Sequence, residues 1–209
     1  MHILLLNEYY PPDTSATAKM AALVAETLAK KHQVTVLAGR PSYDPEEYYP
    51  FAFLRSDNRN NITVERVGST DFPRHEMKRR VSNYLSYLAL AVPRALAIRP
   101  DVVLAMTDPP VAGIAGAFIA RMSGRPFVYN IRDMYPDMAL GGDIVRANAL
   151  VARWEQMHRR ALRETHGWRT PPGATRCFHV VKATGPRPGA MHFCLAARSW
   201  RPTSPASRR

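Results

Sequence analysis

Five short runs of Val, Ile and Leu, at residues 2–6, 33–38, 62–67, 102–106 and 127–131, are separated for the most part by helical patterns, and this alternation constrains the fold more than any other feature of the chain. Each run is nearly continuously apolar instead of alternating with polar residues, the mark of a strand covered on both faces of a parallel sheet. The helical patterns cover residues 14–31, 78–98, 111–122 and 143–163. The first has Ala18, Ala21, Ala22, Ala25, Leu28 and Ala29 on one stripe, the second has Val81, Leu85, Leu88, Val92 and Ala95, and the third is almost wholly apolar. Strand followed by helix predicts βαβ units and an α/β fold built on a doubly wound parallel sheet. Residues 40–61, with Pro41, Pro45, Pro50 and a dense aromatic set, read as one long loop of the functional or mobile kind.

The alternation stops near Glu164. All 17 acidic residues precede that point, whereas residues 165–209 carry eight Lys or Arg, six Pro, both cysteines and no Asp or Glu. That mix has no sustained period and resembles GC-rich coding sequence read out of frame. The expectation is a domain over residues 1–164 and an aberrant, frameshifted, unstructured basic tail over 165–209. The formal charge of +12 divides accordingly: the first 164 residues hold 21 basic and 17 acidic side chains, a net +4, and the tail adds +8. The charge is therefore weak evidence for a polyanionic partner, and no specific nucleic acid is expected.

Without a thiol before Cys177, the body has no disulfide framework, which fits a reducing cytoplasm. The N-terminal apolar run is too short for a secretory signal, and Asp108, Pro109 and Pro110 interrupt the longest apolar stretch, so no transmembrane segment is expected. Cys177-Phe178-His179 and His192-Phe193-Cys194 match no common zinc spacing, so no metal is expected.

Ligands of an open parallel sheet sit at the carboxyl ends of its strands. After the first strand comes Asn7-Glu8-Tyr9-Tyr10-Pro11-Pro12-Asp13-Thr14-Ser15-Ala16-Thr17, with no glycine. The Gly-rich turns of dinucleotide and NTP sites are absent, which disfavours an oxidoreductase, and no cofactor is implied. Asp13 or Thr14 as N-cap would leave helix N–H groups facing an anion or a sugar hydroxyl; ordinary capping is the alternative. Arg40 and Tyr43 follow the second strand, Thr107 and Asp108 the fourth, and the polar cluster Asn130-Ile131-Arg132-Asp133-Met134-Tyr135-Pro136-Asp137 the fifth. A carboxylate there can serve as general base or orient a hydroxyl, or it can cap the next segment and pair with Arg132.

Three of these phrases, the stretch from Asn7 to Ala18, Val34 to Tyr43, and Tyr129 to Asp137, resemble the N-terminal half of family 4 glycosyltransferases, closest to the colanic-acid-type enzymes of bacterial exopolysaccharide synthesis. The resemblance runs from Met1 to about Glu164. It implies one Rossmann-like half of a GT-B enzyme, the acceptor side, facing a second domain that holds the nucleotide sugar. It further implies substrate contacts from Tyr10, Pro11, Asp13, Ser15, Ala16, Thr17, Arg40, Tyr43, Thr107, Asp108, Tyr135 and Asp137, with Asp133 and Arg132 at the reaction centre. Many relatives place His where this chain has Arg132, so proton transfer at that position gives way to a positive charge beside the leaving diphosphate.

On this reading the chain is a truncated glycosyltransferase, inactive without its donor domain, whose partners are a nucleotide sugar and a glycan or lipid-linked acceptor. Arg74, Lys78, Arg79 and Arg80 precede an aromatic and aliphatic helix, which reads either as a peripheral contact with the inner face of the membrane or as a solvated helix start. The alternative function is a non-catalytic basic module that binds anionic glycan, lipid or nucleic acid.

Overall fold

The computed structural model describes residues 1–42, 49–72, 77–133, 135 and 148–164, the side chains of 59, 77, 78 and 164 apart. The basic tail, Tyr43, Arg74 and Asp137 lie outside the described residues. In chain order the elements are β1 (His2–Leu6), α1 (Ala16–Ala29), β2 (Gln33–Ala38), β3 (Leu54–Arg59), β4 (Ile62–Val67), α2 (Met77–Ile98), β5 (Val102–Ala105), α3 (Ala112–Ser123), β6 (Phe127–Tyr129) and α4 (Ala149–Glu164).

The six strands form one open sheet in the order β3-β4-β2-β1-β5-β6. Every neighbouring pair is parallel except β3–β4, which is antiparallel, so the sheet is mixed where a wholly parallel one is expected. The difference lies inside the stretch read as one long loop. Leu54–Arg59 holds a single apolar residue because it is an edge strand, exposed and charged, as edges are when they must not pair with another chain. Asn60 and Asn61, at φ of 49° and 62°, make the two-residue turn back into β4.

Helices cover both faces. Leu4, Leu6, Leu37, Val67, Val103 and Ala105 point to the side of α2 and α3, while Ile3, Leu5, Val34, Val36, Ile62 and Val64 point to the side of α1. The all-alanine buried stripe of α1, Ala18, Ala21, Ala25 and Ala29, lets that helix lie close on the sheet. In α2 the buried side is Tyr84, Tyr87, Ala91 and Ala95, with Val81 and Leu85 left 43% and 60% exposed, so the expected stripe is rotated. Two polar anchors cause the rotation. The Tyr87 hydroxyl donates to the Leu37 carbonyl at 2.7 Å, and Arg94 makes a two-point contact with the buried Glu65 at 2.6 and 2.5 Å. Glu65 is thereby accommodated at a buried position of β4.

Glycines set the approach of α3. A methyl group at Gly113 would sit 2.1 Å from Cζ of the fully buried Tyr129, and one at Gly116 would sit 2.6 Å from Phe127. Gly113→Ala gains about 1 kcal/mol of helix propensity but overpacks this contact at the upper end of the usual ~1–3 kcal/mol. The expected outcome is a net loss of about 2 kcal/mol in urea-denaturation stability, with the slope of the transition unchanged; an unaltered midpoint would contradict the close packing of α3 on β6.

Candidate functional site

The loops after β1, β2 and β5 are tied to one another by their backbones: Glu8 N–H donates to the Asp108 carbonyl at 2.9 Å and Gly39 N–H to the Glu8 carbonyl at 2.8 Å. This lattice leaves Asn7, Glu8 and Thr107 no more than 2% exposed at the carboxyl edge of the sheet. Where the sheet stops, apolar side chains give way to polar ones at the same depth.

Around that edge the structure gathers part of the expected set. Ser15, not Asp13 or Thr14, caps α1, accepting from Ala18 N–H at 3.0 Å. Two residues on, the Thr17 side chain hydrogen-bonds the carboxylate of Asp108. Burial raises the Asp108 pKa; the Thr17 bond opposes the rise, the charge of Asp133 adds to it, and Arg132 and Arg80 oppose it. Thr17, Asp108, Arg132 and Asp133 therefore share one electrostatic neighbourhood. Tyr135 belongs to it as well: burial and then the charges of Asp133 and Asp108 push its hydroxyl pKa up, and its ring stacks on Trp154 of α4 at 5.9 Å. Nη1 of Arg132 and Oγ1 of Thr107 are enclosed with no hydrogen-bond partner among the described residues. Protein interiors rarely leave such groups unpaired.

Other expected residues are placed differently. Arg40 forms an ion pair with Asp71 at 3.3 Å. Asp13 is buried and accepts from Ser42 N–H at 2.9 Å. Tyr10 is buried on the α1 side of the sheet, Pro11 offers its carbonyl to Arg66, and Ala16 is exposed in the first turn of α1.

Arg80 is the residue that the linear sequence misplaces. It reads as part of a basic surface patch, but its Nε–H donates to the Tyr84 hydroxyl at 2.5 Å, its guanidinium lies over that ring, and its charge acts on Asp108. Arg79 is exposed and stands 6.0 Å from the Phe72 ring. The helical spacing between Arg80 and Tyr84 is a signal that would have shown this pairing. Arg40, Arg80 and Arg94 each have a partner within the fold. Among the described residues no group of His, Cys, Asp and Glu could hold a metal ion, and no helix is long and apolar enough to cross a membrane.

A model of the glycosyl transferase 4-like domain matches residues 16–171. The chain belongs to this family. Nothing among the curated proteins matches the glycosyltransferase-like chain at a significant level. Of solved structures, the SurE protein from Aquifex aeolicus aligns at 15% identity and a TM-score of 0.35, over 79% of this chain and 63% of that one. A trehalose-6-phosphate structure from E. coli, bound with UDP-2-fluoro glucose, aligns at 12% identity and a TM-score of 0.37, over 63% of this chain and 32% of that one. The chain thus spans less than two thirds of either, and at these scores neither bears on its function.

Asp108→Asn removes an ionisation that the folded state disfavours. Because the pKa is raised on folding, ionising Asp108 costs stability above the ordinary carboxylate value of 3.8 and costs nothing below it. The variant is expected to melt above the parent at pH 7, with the gap closing as pH falls below that value; a variant that melts lower at every pH would show that the carboxylate is well compensated.

Proposed function

We propose that this domain is the acceptor-side, Rossmann-like half of a GT-B glycosyltransferase that moves a sugar, with retention, from a nucleotide sugar to a glycan or lipid-linked acceptor. The finer reading is exopolysaccharide synthesis of the colanic-acid type, in the cytoplasm and at the inner face of the membrane. The observation that carries it is the enclosed, unpaired guanidinium nitrogen of Arg132, set beside Asp108 and Asp133 at the strand ends of a glycosyltransferase-like domain.

In such a transfer the acceptor oxygen bonds to the anomeric carbon, the bond from that carbon to the diphosphate breaks, and the acceptor proton and the departing charge must both be accommodated. Arg132 meets the charge, in a setting dry enough for its N–H groups to count. The N-terminus of α1, capped by Ser15, offers further N–H groups to the same anion. Asp133 takes the role of base or hydroxyl orienter. Asp108, whose raised pKa favours retaining a proton, and Thr107, whose hydroxyl is enclosed, hold the acceptor hydroxyls. Donor recognition belongs to the facing wall of a GT-B cleft, and the residues described supply one wall.

The test separates binding from turnover. The protein is titrated with a short-chain polyprenyl-diphosphate-linked saccharide and assayed for nucleoside diphosphate release from a panel of nucleotide sugars, alone and with a separately produced donor domain of a family member. Arg132→Gln is expected to lower nucleoside diphosphate release about 100-fold through the lost stabilisation of the departing charge, while acceptor affinity stays within about threefold. Asp133→Asn is expected to lower any turnover about 100-fold while affinity stays within about threefold. Turnover indifferent to Arg132 or to Asp133 would contradict the assignment.

A further inference from the structure

We propose that the groove between α1 and the β3–β4 hairpin binds a sugar unit carrying an anionic substituent, with Arg66 as its anchor. This goes beyond the transferase reading, because the groove lies toward the β3 edge of the sheet, with β2 and β1 between it and the strands that carry Asp108 and Asp133. It asks nothing of Asp108, Arg132 or Asp133.

The groove exists because the antiparallel hairpin widens the sheet beyond the helix that covers it. On this face α1 packs against β2 and β4, while β3 extends one strand further. The space left is about 940 Å³. Its floor is apolar, formed by Ile62 and Val64 at 7% and 9% exposure, and its upper end is closed by Tyr10 and Arg66 at 7% and 8%. The exposed walls carry both signs of charge, Lys30 and Arg55 against Glu26 and Asp57, and Tyr49 adds a second aromatic ring.

Arg66 is the anomaly. Its Nη2 donates to the Pro11 carbonyl, but Nη1 is enclosed with no hydrogen-bond partner among the described residues. Burial pushes its pKa down, and the charges of Asp13 and Asp57 only oppose that shift. A buried arginine with an idle N–H, lining a groove of this size, calls for an acceptor from outside.

The walls decide what kind of acceptor. A bare anion would meet the like charges of Glu26 and Asp57, and a neutral glycan would leave Arg66 idle. A polyhydroxylated molecule with one anionic group suits both, because its hydroxyls donate to the carboxylates while its anion accepts from Arg66. The rings of Tyr10 and Tyr49 and the floor of Ile62 and Val64 supply surfaces for the C–H faces of a sugar ring. A uronic acid and a sugar phosphate share this chemistry.

The full chain is titrated calorimetrically with a glucuronic-acid oligosaccharide, with glucose 6-phosphate and with a neutral glucan, and the methyl groups of Ile62, Val64 and Thr17 are followed by NMR. At least one anionic sugar is expected to bind tenfold or more tighter than the neutral glucan, moving Ile62 and Val64; which one binds identifies the anion as carboxylate or phosphate. Arg66→Gln is expected to weaken binding tenfold or more. Because Arg66 also holds the Pro11 loop, the exposed Arg55→Ala serves as a second variant, expected to weaken binding several-fold at an unchanged melting temperature. Binding of neither anionic sugar, affinity indifferent to Arg66→Gln and Arg55→Ala, or shifts at Thr17 in place of Ile62 and Val64 would each overturn the proposal. None of these outcomes depends on turnover, so the proposal and the transferase reading fail separately.

Discussion

Two-sided burial of the central strand is the constraint from which the site follows. Leu4, Leu5 and Leu6 are fully buried, with β2 hydrogen-bonded on one side of β1 and β5 on the other. Each such side chain contributes about 1.5–3 kcal/mol, and the strand is apolar from Ile3 to Leu6. The first residues free of that demand are Asn7 and Glu8, and they too are enclosed, by the loops after β2 and β5. Polar groups forced together at the rim of an apolar sheet have shifted protonation and unpaired donors. Burial raises the pKa of Asp108, and Oγ1 of Thr107 and Nη1 of Arg132 are enclosed without a hydrogen-bond partner among the described residues. Polar groups collect at the strand ends because the buried strands leave them little other place.

What could be read from the sequence depended on how loudly burial speaks. Strands covered on both faces are long apolar runs, and β1, β2, β4, β5 and β6 were all visible as such. The edge strand β3 was not, because exposure on both faces removes the hydrophobic signal and leaves Arg55, Asp57 and Arg59 where a core strand would carry Val or Ile. Its one local trace is the pair Asn60-Asn61, residues suited to the positive φ of a tight hairpin turn. In α2 the helix was legible but its buried side was not, because Tyr87 and Arg94 bury it through polar contacts with Leu37 and Glu65 that a hydrophobic stripe cannot register.

The grouping of polar residues at the strand ends was legible where position alone sufficed and obscure where side-chain direction mattered. Thr17, Asp108, Arg132, Asp133 and Tyr135 follow strands or open helices and do come together. Arg40 stands equally well placed in the sequence, yet Asp71 takes it up. Arg80 lies far along the chain at the start of α2 and reaches the strand ends only because that helix turns Tyr84 inward. The enclosure of Arg66 was invisible for the same reason as β3, since the groove it lines is created by the hairpin.

Hydrogen–deuterium exchange of the full chain, with and without a short-chain polyprenyl-diphosphate-linked saccharide, tests most directly that ligand chemistry is concentrated at the carboxyl edge of the sheet. The account predicts slowed exchange in residues 7–17, 107–112 and 130–135, and none at the opposite edge around residues 31–33 and 99–101. Protection at that opposite edge, or none at the carboxyl edge under saturating ligand, would contradict it.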